Sequence, residues 1–365
     1  MPRRSETQAE GFHCPACGHW WTIGEWKAQP TTPLQYQSSS GTELGRLCRG
    51  PYPPSETDDG HQLPADYAIE TPPIVIAFAG RWNSGKSVMI GAMTRHFQLE
   101  GTCGDWAVEP AVINPLLLKC TTALASGELP PGTDPTQGQS PADAIMGIFT
   151  LDRPSAEGIS RRYLVLRDFA GEDLFKELIN VGVRQSDLGE HNPTAFGRFG
   201  RSVDGVVFCV DPAIDTTLRR GLPPMLPRRW DPGAPDAEES ADPTLTLICR
   251  AIARKHRGQA SYSDIPLSVL ITKCDYLRAS VPVERPLGPA AGATDSEQKA
   301  RVRSIIQLGG GNWLRKIHNE FGQYAIHTIS VTGPVVSGSP NAEVLKRGNP
   351  TAIKPVEWLL DRLVP

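Results

Sequence analysis

The sequence has no long apolar run, and its charges nearly cancel. No apolar stretch approaches the roughly 18 residues that a membrane-spanning helix needs, and no apolar segment follows the first residues as it would in a secretion signal. The formal net charge is −3 with 21% charged residues, which argues against nucleic acid or an anionic membrane surface as the partner. These absences predict a protein of the cytoplasm that does not span a membrane.

The sequence also lacks a second recognisable set of catalytic residues. Its eight histidines form no H-x-x-x-H pair, and no serine or cysteine lies in a nucleophile-elbow motif. With 365 residues the chain can form one large domain or two smaller ones. The 34 prolines and 35 glycines are clustered, which predicts long irregular segments around a compact centre.

Most of the eight cysteines are isolated. Because free cysteine behaves as a small apolar residue, the isolated ones are expected in the core: Cys103, Cys120, Cys209, Cys249 and Cys274. A disulfide framework is not expected in a chain of this length without a secretion signal.

Near the amino terminus, Cys14 and Cys17 form a C-x-x-C pair followed by glycine. Such a turn directs two thiolates at one point, as a tetrahedral Zn²⁺ site requires, and Cys48 is a candidate third ligand. A second C-x-x-C is absent, so a redox pair or an ordinary turn stays open. The fourth ligand also stays open among three histidines, with the third the weakest candidate: His19, His61 and His13.

This region predicts two segments ahead of the main domain. Residues 1–27 form a cysteine-knuckle module resembling a zinc ribbon. Residues 28–72 are rich in proline, glycine and serine and are interpreted as a linker that contributes Cys48 or His61 to the module.

The stretch from Ile74 to Ser87 carries the strongest signal. An apolar run ends at Gly80, and the spacing G-x-x-x-x-G-K-S is that of a P-loop, whose glycines let backbone N–H groups surround a phosphate. Lys86 would reach the β- and γ-phosphates, and the Ser87 hydroxyl would bind Mg²⁺. The following helix directs its positive dipole end at the same anion. Because the spacing also occurs by chance, the flanking strand and helix matter. The predicted contacts are Gly80, Arg81, Trp82, Asn83, Ser84, Gly85, Lys86, Ser87 and Val88.

Three further motifs end predicted strands. Runs at 144–151 and 161–167 predict a hairpin that leads into Asp168, where the carboxylate would hold Mg²⁺ through water and the Gly171 amide would bond the γ-phosphate. Other buried strands end before Thr272-Lys273-Cys274-Asp275 and at Ser330-Val331-Thr332. Alternating strands and helices predict a three-layer α/β fold with a mostly parallel sheet, and ligands bind at the carboxyl ends of such strands.

The Thr272-Lys273-Cys274-Asp275 motif indicates guanine. The Asp275 carboxylate can accept hydrogen bonds from N1–H and the 2-amino group of guanine, whereas adenine would leave these polar groups unpaired. The stem of Lys273 would cover one face of the base.

Together these motifs resemble the TRAFAC-class P-loop GTPases, the class of Ras-like and translation-factor-like switches. The resemblance covers residues 73–365, rests on GRWNSGKS, DPT, DFAG, TKCD and SVT, and implies a Ras-like G domain with GTP, GDP and Mg²⁺. It implies that Thr136, chosen over Thr133, ligates Mg²⁺ from the first switch, and that the Val331 amide contacts the guanine carbonyl. Insertions into this domain are predicted at about 187–200, 212–242 and 279–296. An extra helix ahead of Thr136, the two long insertions (212–242 and 279–296), the C-terminal helix and the cysteine leader look most similar to the bacterial double-GTPase family of GTPase-associated, conflict-type systems.

Two departures from the Ras pattern bear on mechanism. Glu172 stands where Ras has its water-orienting glutamine, so we expect slow hydrolysis that depends on a partner or an arginine supplied elsewhere. Asn83 matches GTPases that coordinate K⁺ at this position, although it could equally only stabilise the turn.

The sequence therefore predicts a GTPase switch that regulates a protein effector, with Lys86, Thr136, Gly171 and Glu172 in the hydrolytic step. One alternative is a GTP-binding scaffold without turnover, in which the knuckle and the insertions dock partners. A third is an ATPase of the wider P-loop group. The sequence leaves the effector and the oligomeric state open.

Overall fold

The computed structural model describes residues 11–16, 18–34, 44–49, 61–81, 84–130, 145–156, 158–168, 203–212, 215, 245, 265–273, 311–331 and 342–364. The strands are β1 (Gly11–His13), β2 (Trp20–Thr22), β3 (Thr31–Pro33), β4 (Leu44–Cys48), β5 (His61–Pro64), β6 (Ile74–Gly80), β7 (Thr102–Cys103), β8 (Trp106–Ile113), β9 (Met146–Ser155), β10 (Gly158–Asp168), β11 (Gly205–Val210), β12 (Leu267–Ile271) and β13 (Tyr324–Thr328). The helices are α1 (Ile23–Ala28), α2 (Lys86–Glu100), α3 (Pro115–Ser126), α4 (Gly311–Glu320), α5 (Ala342–Arg347) and α6 (Lys354–Leu363), with a 3₁₀ turn at Pro350–Ile353.

Within the described residues, eight strands form the central sheet in the order β13-β12-β11-β6-β10-β9-β8-β7. Five neighbouring strands are mutually parallel: β13, β12, β11, β6 and β10. The next strand, β9, pairs antiparallel with both β10 and β8. The expected mixed α/β architecture with a mostly parallel sheet is confirmed, and so is the hairpin. Its two strands are longer than the sequence predicted and leave only residues 156 and 157 between them.

β6 occupies the point where the chain changes direction across the sheet. After β6 the chain builds β7 to β10 on one side, and it then continues with β11 to β13 on the other side. All seven residues of β6 are buried, as expected of a central parallel strand covered on both faces. A crevice outside the carboxyl end of such a strand is the usual ligand site of open α/β sheets.

Helices cover one face of the sheet. Apolar residues of α2, α3, α5 and α6 pack with Ile76, Phe78 and Leu166 in one cluster. Local signals define α3: the Asn114 side chain accepts a hydrogen bond from Leu117 N (2.9 Å) at its start, and Gly127 ends it with φ 82°. The predicted terminal helix has the expected bounds.

The other face is covered by α4 and by the N-terminal residues. Trp313 and Ile317 of α4 share a cluster with Val206 and Val269 of the sheet, and the same cluster includes Phe12, Trp26 and Tyr67. Tyr67 stacks on Tyr163 of β10 with ring centroids 5.5 Å apart. The N-terminal region therefore packs on the same sheet as the P-loop strand.

The structure differs from the sequence prediction within residues 28–72. Three antiparallel strands, β3, β4 and β5, form a small sheet here, and Leu63 and Cys48 contribute to the core. Each of these strands has five residues or fewer, too short for a periodic pattern to show. A linker interpretation therefore misses the ordered part of this segment. We call residues 11–34, 44–49 and 61–69, as far as they are described, the N-terminal module.

Several predictions fall outside the described residues. These are the insertions at about 187–200, 212–242 and 279–296, apart from Pro212 and Asp215, and the proposed switch segments. Where the chain is described, no helix is long and apolar enough to cross a membrane. Cys103, Cys120 and Cys209 are buried free thiols, as expected of core cysteines, and burial raises the pKa of Cys209 to about 12.

Candidate functional site

The P-loop joins β6 to α2, and two of its glycines have left-handed backbone angles. Gly80 has φ 154° and Gly85 has φ 84°, a region that glycine adopts without steric cost. A Cβ on Gly80 would lie 2.4 Å from Cys209 O and 2.8 Å from Ser84 Oγ. Any side chain at position 80 would therefore collide with the neighbouring strand and with the loop itself.

The first turn of α2 leaves backbone donors available. Gly85 is the N-cap and has no side chain to accept a hydrogen bond, and the first helical N–H bonded to it is that of Met89, 3.0 Å from Gly85 O. Helix geometry leaves the N–H groups of Lys86, Ser87 and Val88 without an intrahelical acceptor. These donors and the helix dipole suit an anion.

Lys86 is 6% exposed and folds back over the loop. Its Nζ donates to Gly80 O (3.2 Å) and to Arg81 O (3.0 Å), and it lies 3.9 Å from Asp168 Oδ1. A buried ammonium held by backbone carbonyls at the mouth of the loop is placed to meet a phosphate.

Asp168 and Ser87 meet beneath the loop, as the sequence predicted for a Mg²⁺ site. Ser87 Oγ donates to Asp168 Oδ2 at 2.9 Å, although 81 positions separate them in the chain. Burial raises the pKa of the Asp168 carboxyl, and this effect is opposed by Lys86, by the Ser87 hydrogen bond and by Arg167. Burial therefore makes the carboxylate charge unfavourable, and a bound cation would offset this cost.

Two buried polar atoms near the loop make no hydrogen bond with any described residue, although one of them is in ion-pair range of Lys86. Asp168 Oδ1 and Ser84 Oγ are buried and make no hydrogen bond there. A buried polar atom without a partner is costly. A metal ion and a phosphate would supply the missing partners, so the residues present fit a Mg²⁺-nucleotide.

The predicted base-binding motif is attached to the P-loop. Thr272 Oγ1 donates to Ser84 O at 2.8 Å and lies 3.3 Å from Val210 O. Lys273 has φ 50°, and its Nζ lies 2.6 Å from Asp211 Oδ2. Asp211, at the end of β11, was not among the predicted site residues.

The third predicted motif lies at the same edge. Register pairs Cys209 with Gly80, Val210 with Ile271, and Ile271 with Thr328, so Ser330 and Val331 follow the neighbouring carboxyl end. Ser330 is 5% exposed, and its carbonyl accepts a hydrogen bond from Asn349 Nδ2 (2.9 Å). Asn349 is a second residue that the sequence analysis missed, because an asparagine in a turn carries no distinctive signal.

The structure thus gathers at one sheet edge all the described residues predicted for the nucleotide: Gly80, Arg81, Ser84, Gly85, Lys86, Ser87, Val88, Asp168, Thr272, Lys273, Ser330 and Val331. The remaining predicted ones lie outside the described residues: Trp82, Asn83, Thr133, Thr136, Gly171, Glu172, Asp275 and Thr332.

A separate cluster in the N-terminal module brings together three of the four predicted zinc ligands. One ligand atom each of Cys14, Cys48 and His61 lies within 4.8 Å of the others, although up to 47 positions separate them. Both cysteines are 0% exposed, and Trp21 Nε1 donates to Cys48 Sγ at 3.1 Å. An N–H donor to sulfur is a common outer contact of metal-bound thiolate. Cys17 lies outside the described residues.

Comparisons with known proteins give distant matches. No protein-family model matches the chain. It is 29% identical over 225 residues to a Mycolicibacterium smegmatis protein described as "Putative ESX-1 scaffolding and assembly protein SaeC". The match covers 58% of this chain and 48% of that protein, so the chain spans about half the length of this relative.

Similar solved structures include the bacterial selenocysteine-specific elongation factor EF-Sec, with TM-score 0.31, 15% identity, and coverage of 80% of this chain and 29% of that one. The signal recognition particle receptor complex SRb-GTP/SRX from Chaetomium thermophilum has TM-score 0.29 and 11% identity, covering 76% of this chain and 97% of that one. The GTP-bound GTPase-like domain of Ski7 from S. cerevisiae has TM-score 0.30 and 13% identity, covering 70% and 42%. Because these TM-scores are low, the description of the fold rests on the strand order of the central sheet and on the geometry of the P-loop.

Proposed function

We propose that the protein is a guanine-nucleotide switch that binds GTP with Mg²⁺ and hydrolyses it to GDP and phosphate, slowly and under stimulation by a protein partner. The observation that carries the proposal is the hydrogen bond from Ser87 to Asp168 beneath a buried Lys86. Two motifs far apart in the sequence meet there, and their serine, lysine and aspartate supply the groups that bind a Mg²⁺-nucleotide in P-loop proteins, which supports the proposal.

In this proposal the chain's own groups bind and orient the phosphates. The N–H groups of the loop and of the first turn of α2 hold the β-phosphate region, and Lys86 turns from the Gly80 and Arg81 carbonyls towards the β- and γ-phosphates. Ser87 and Asp168 hold the Mg²⁺, directly and through water. When bound, Mg²⁺ neutralises charge on the β- and γ-phosphate oxygens.

Base selection is assigned to the edge formed by Thr272, Lys273 and Asp275. Thr272 joins this edge to the P-loop through a hydrogen bond to Ser84 O, which helps to hold the base-binding edge in place relative to the phosphate site. Asp275 accepts from N1–H and the 2-amino group of guanine, Lys273 covers the ring, and the Val331 amide meets the guanine carbonyl, with Ser330 and Thr332 beside it.

The switch and its slow hydrolysis are assigned to Thr136, Gly171 and Glu172. Thr136 would join the Mg²⁺ ligands and Gly171 would bond the γ-phosphate, so that loss of this phosphate releases both segments. Glu172 can accept a proton from water but repels the γ-phosphate, which favours partner-stimulated turnover. Asn83 is proposed as a K⁺ ligand, and equal turnover in K⁺ and Na⁺ buffers would contradict that.

The output of the switch is proposed to be a protein complex. The M. smegmatis relative is described as a scaffolding and assembly protein, and this supports a protein effector. The resemblance to bacterial double-GTPases of conflict-type systems points to the same kind of output. The zinc-binding role of Cys14, Cys17, Cys48 and His61 is part of the proposal and rests on the three ligand atoms that converge.

Competition between nucleotides tests base selection. We expect GTP to displace a fluorescent GDP analogue with an affinity orders of magnitude above that of ATP, because a site built for guanine N–H donors leaves polar groups unpaired with adenine. Asp275→Asn should weaken GTP and strengthen XTP, because the asparagine amide can donate to the 2-oxo group of xanthine. A preference of the wild-type protein for ATP would identify the P-loop ATPase alternative instead.

Phosphate release tests turnover. Lys86→Ala should lower GTP affinity by about 10- to 100-fold, the worth of charge-assisted hydrogen bonds, and abolish release. Lys119→Ala is the matched control, because Lys119 is an exposed lysine on α3. Wild-type release no faster than that of Lys86→Ala at saturating GTP would favour the scaffold without turnover. Release at tens of molecules per second without a partner would contradict the proposed slow hydrolysis.

A further inference from the structure

The last two residues of β10 point to opposite faces of the sheet. Leu164 and Leu166 belong to the helix-covered face, as does Asp168 through its bond to Ser87. Tyr163 and Val165 belong to the face covered by the N-terminal module. Since side chains alternate along a strand, Arg167 lies on the module face, directly behind Asp168.

Arg167 is buried and binds the cysteine turn of the module. It is 5% exposed, and its Nη1 donates to the backbone carbonyl of Pro15. Pro15 is itself buried and follows Cys14, whose Sγ lies in the cluster with Cys48 and His61. A buried guanidinium is stable only with acceptors in place, so the position of this carbonyl constrains the arginine.

Two backbone hydrogen bonds among the described residues flank the turn that presents Pro15 O. Gly18 N donates to Cys14 O (2.8 Å) and Cys14 N donates to His19 O (2.7 Å), and Gly18 has the positive φ that such a turn needs, 73°. These two bonds constrain the orientation of the Pro15 carbonyl. At the other side of the strand, Asp168 N donates to Ile145 O at 2.8 Å, so the end of β10 is held by the hairpin and by the module together.

We propose that Arg167 is a positioning residue for the Mg²⁺-binding carboxylate: by anchoring the end of β10 to Pro15 of the N-terminal module, it sets the place of Asp168 opposite Ser87. The module thereby becomes a working part of the nucleotide site. The proposal rests on the proposed function, since it assigns Arg167 a role in Mg²⁺-nucleotide binding. It also predicts that a change in the cysteine turn alters Mg²⁺ binding at a site to which the turn contributes no ligand.

The test compares two residues that join the same strand to the same module. Arg167→Met removes the bond to Pro15 O next to Asp168. Tyr163→Phe removes the hydroxyl that donates to Asp66 Oδ1, four residues earlier on the same face. The measurement is the Mg²⁺ concentration that gives half-maximal binding of a fluorescent GDP analogue, with the affinity in EDTA, the zinc content and the thermal unfolding midpoint recorded for each variant.

We expect Arg167→Met to raise the Mg²⁺ midpoint about tenfold, the low end of the cost of removing a group that supports a metal site from outside its ligands, and to leave the affinity in EDTA unchanged. Tyr163→Phe should keep the wild-type midpoint. Arg167→Lys, which keeps a charged donor, should recover most of the loss. A wild-type midpoint in Arg167→Met, or an equal shift in Tyr163→Phe, would overturn the proposal.

A second measurement tests the contact between Arg167 and Pro15 by changing a residue of the N-terminal module. Cys14→Ser should raise the Mg²⁺ midpoint in the same direction, and combining it with Arg167→Met should add little, because both act through one contact. Full additivity would count against the link. If Cys14→Ser does not fold, the Arg167 and Tyr163 variants decide alone. A wild-type protein that binds no guanine nucleotide would refute the proposed function, whereas normal binding with an Mg²⁺ midpoint insensitive to Arg167 would refute only this inference.

Discussion

The two faces of the central sheet are covered by different kinds of structure. One face carries helices whose apolar residues recur with helical spacing, and they pack with Ile76, Phe78 and Leu166. The other carries α4 and a module of short strands held by aromatic rings, including Phe12 against Trp26 (5.4 Å) and Trp21 against Trp26 (5.5 Å). The helical face carries the proposed phosphate site, and the module face packs against β10, the strand that carries Asp168. In our proposal the nucleotide site depends on a region that contributes no ligand to it.

The largest expected difference between the two faces is in zinc binding, which we assign to the N-terminal module. Cys48→Ser is expected to lower zinc from about one ion per chain to near zero and to lower the free energy of unfolding by several kcal/mol, because binding to a structural zinc site is folding free energy. The measurements are elemental analysis and chemical denaturation. Cys103→Ser is the control, because Cys103 is buried in β7 outside the cysteine cluster. Equal zinc content in Cys48→Ser and wild type would refute the zinc assignment.

Core truncations test whether the faces unfold together. Trp26 is 0% and Phe97 1% exposed, and each change to alanine is expected to lower the free energy of unfolding by about 3–5 kcal/mol. Because the module shares one apolar cluster with the sheet, circular dichroism and tryptophan fluorescence should report a single urea transition in both variants. Separate transitions in Trp26→Ala would contradict this expectation and would show that the module unfolds independently of the sheet.

A smaller change addresses the link between the base edge and the P-loop. Thr272→Val keeps the shape of the side chain but removes the hydroxyl that donates to Ser84 O. We expect GTP affinity to fall about fivefold, since one such hydrogen bond is worth about 1 kcal/mol. Titration calorimetry measures this. Thr94→Val on α2 is the control, because the buried Thr94 hydroxyl has no partner among the described residues. An unchanged affinity in Thr272→Val would remove the proposed coupling.

The smallest expected effect is a pH dependence of the nucleotide-free protein. Burial raises the pKa of Asp168, so between about pH 4, the ordinary aspartate value, and the raised value the folded state binds more protons than the unfolded state. Stability contributed by this group is therefore present at low pH and is lost as pH rises through that window.

Asp168→Asn should accordingly be more stable than wild type at pH 7 without nucleotide, and the difference should shrink at lower pH. Denaturation from pH 4 to 8 in EDTA measures it. With Mg²⁺ and GDP the order should reverse, because the ion requires the carboxylate. A stability difference between Asp168→Asn and wild type that does not change with pH would show that burial of the Asp168 charge does not destabilise the nucleotide-free protein.

The sequence predicted the helical face better than the module face for physical reasons. β6, α3, the hairpin and α6 are long, periodic or capped, and each could be recognised within a window of ten to fifteen residues. The strands of the N-terminal module are too short for such a pattern, and their order depends on packing against β8 and β10, which lie far along the chain. The short helix α5 was missed for the same reason.

Within the site, the motif residues could be predicted and their supports could not. Lys86, Ser87 and Asp168 belong to spacings that phosphate and Mg²⁺ chemistry dictate. Asp211, Asn349 and Arg167 support the site through contacts between distant segments, and no local spacing identifies them. The bond from Arg167 to Pro15 joins residues 152 positions apart. The relation of this bond to the proposed Mg²⁺ site can be recognised only in the structure, because Arg167 and Asp168 lie on opposite faces at the end of β10.

Gly80 carries a consequence for how this chain can evolve. The glycine is required by Cys209 O on the neighbouring strand, 2.4 Å from where a Cβ would lie, and this requirement exists without any nucleotide. Lys86 and Ser87 have no comparable steric reason to persist. We therefore expect relatives of this chain that lack the proposed nucleotide binding to vary at positions 86 and 87 and to retain glycine at position 80.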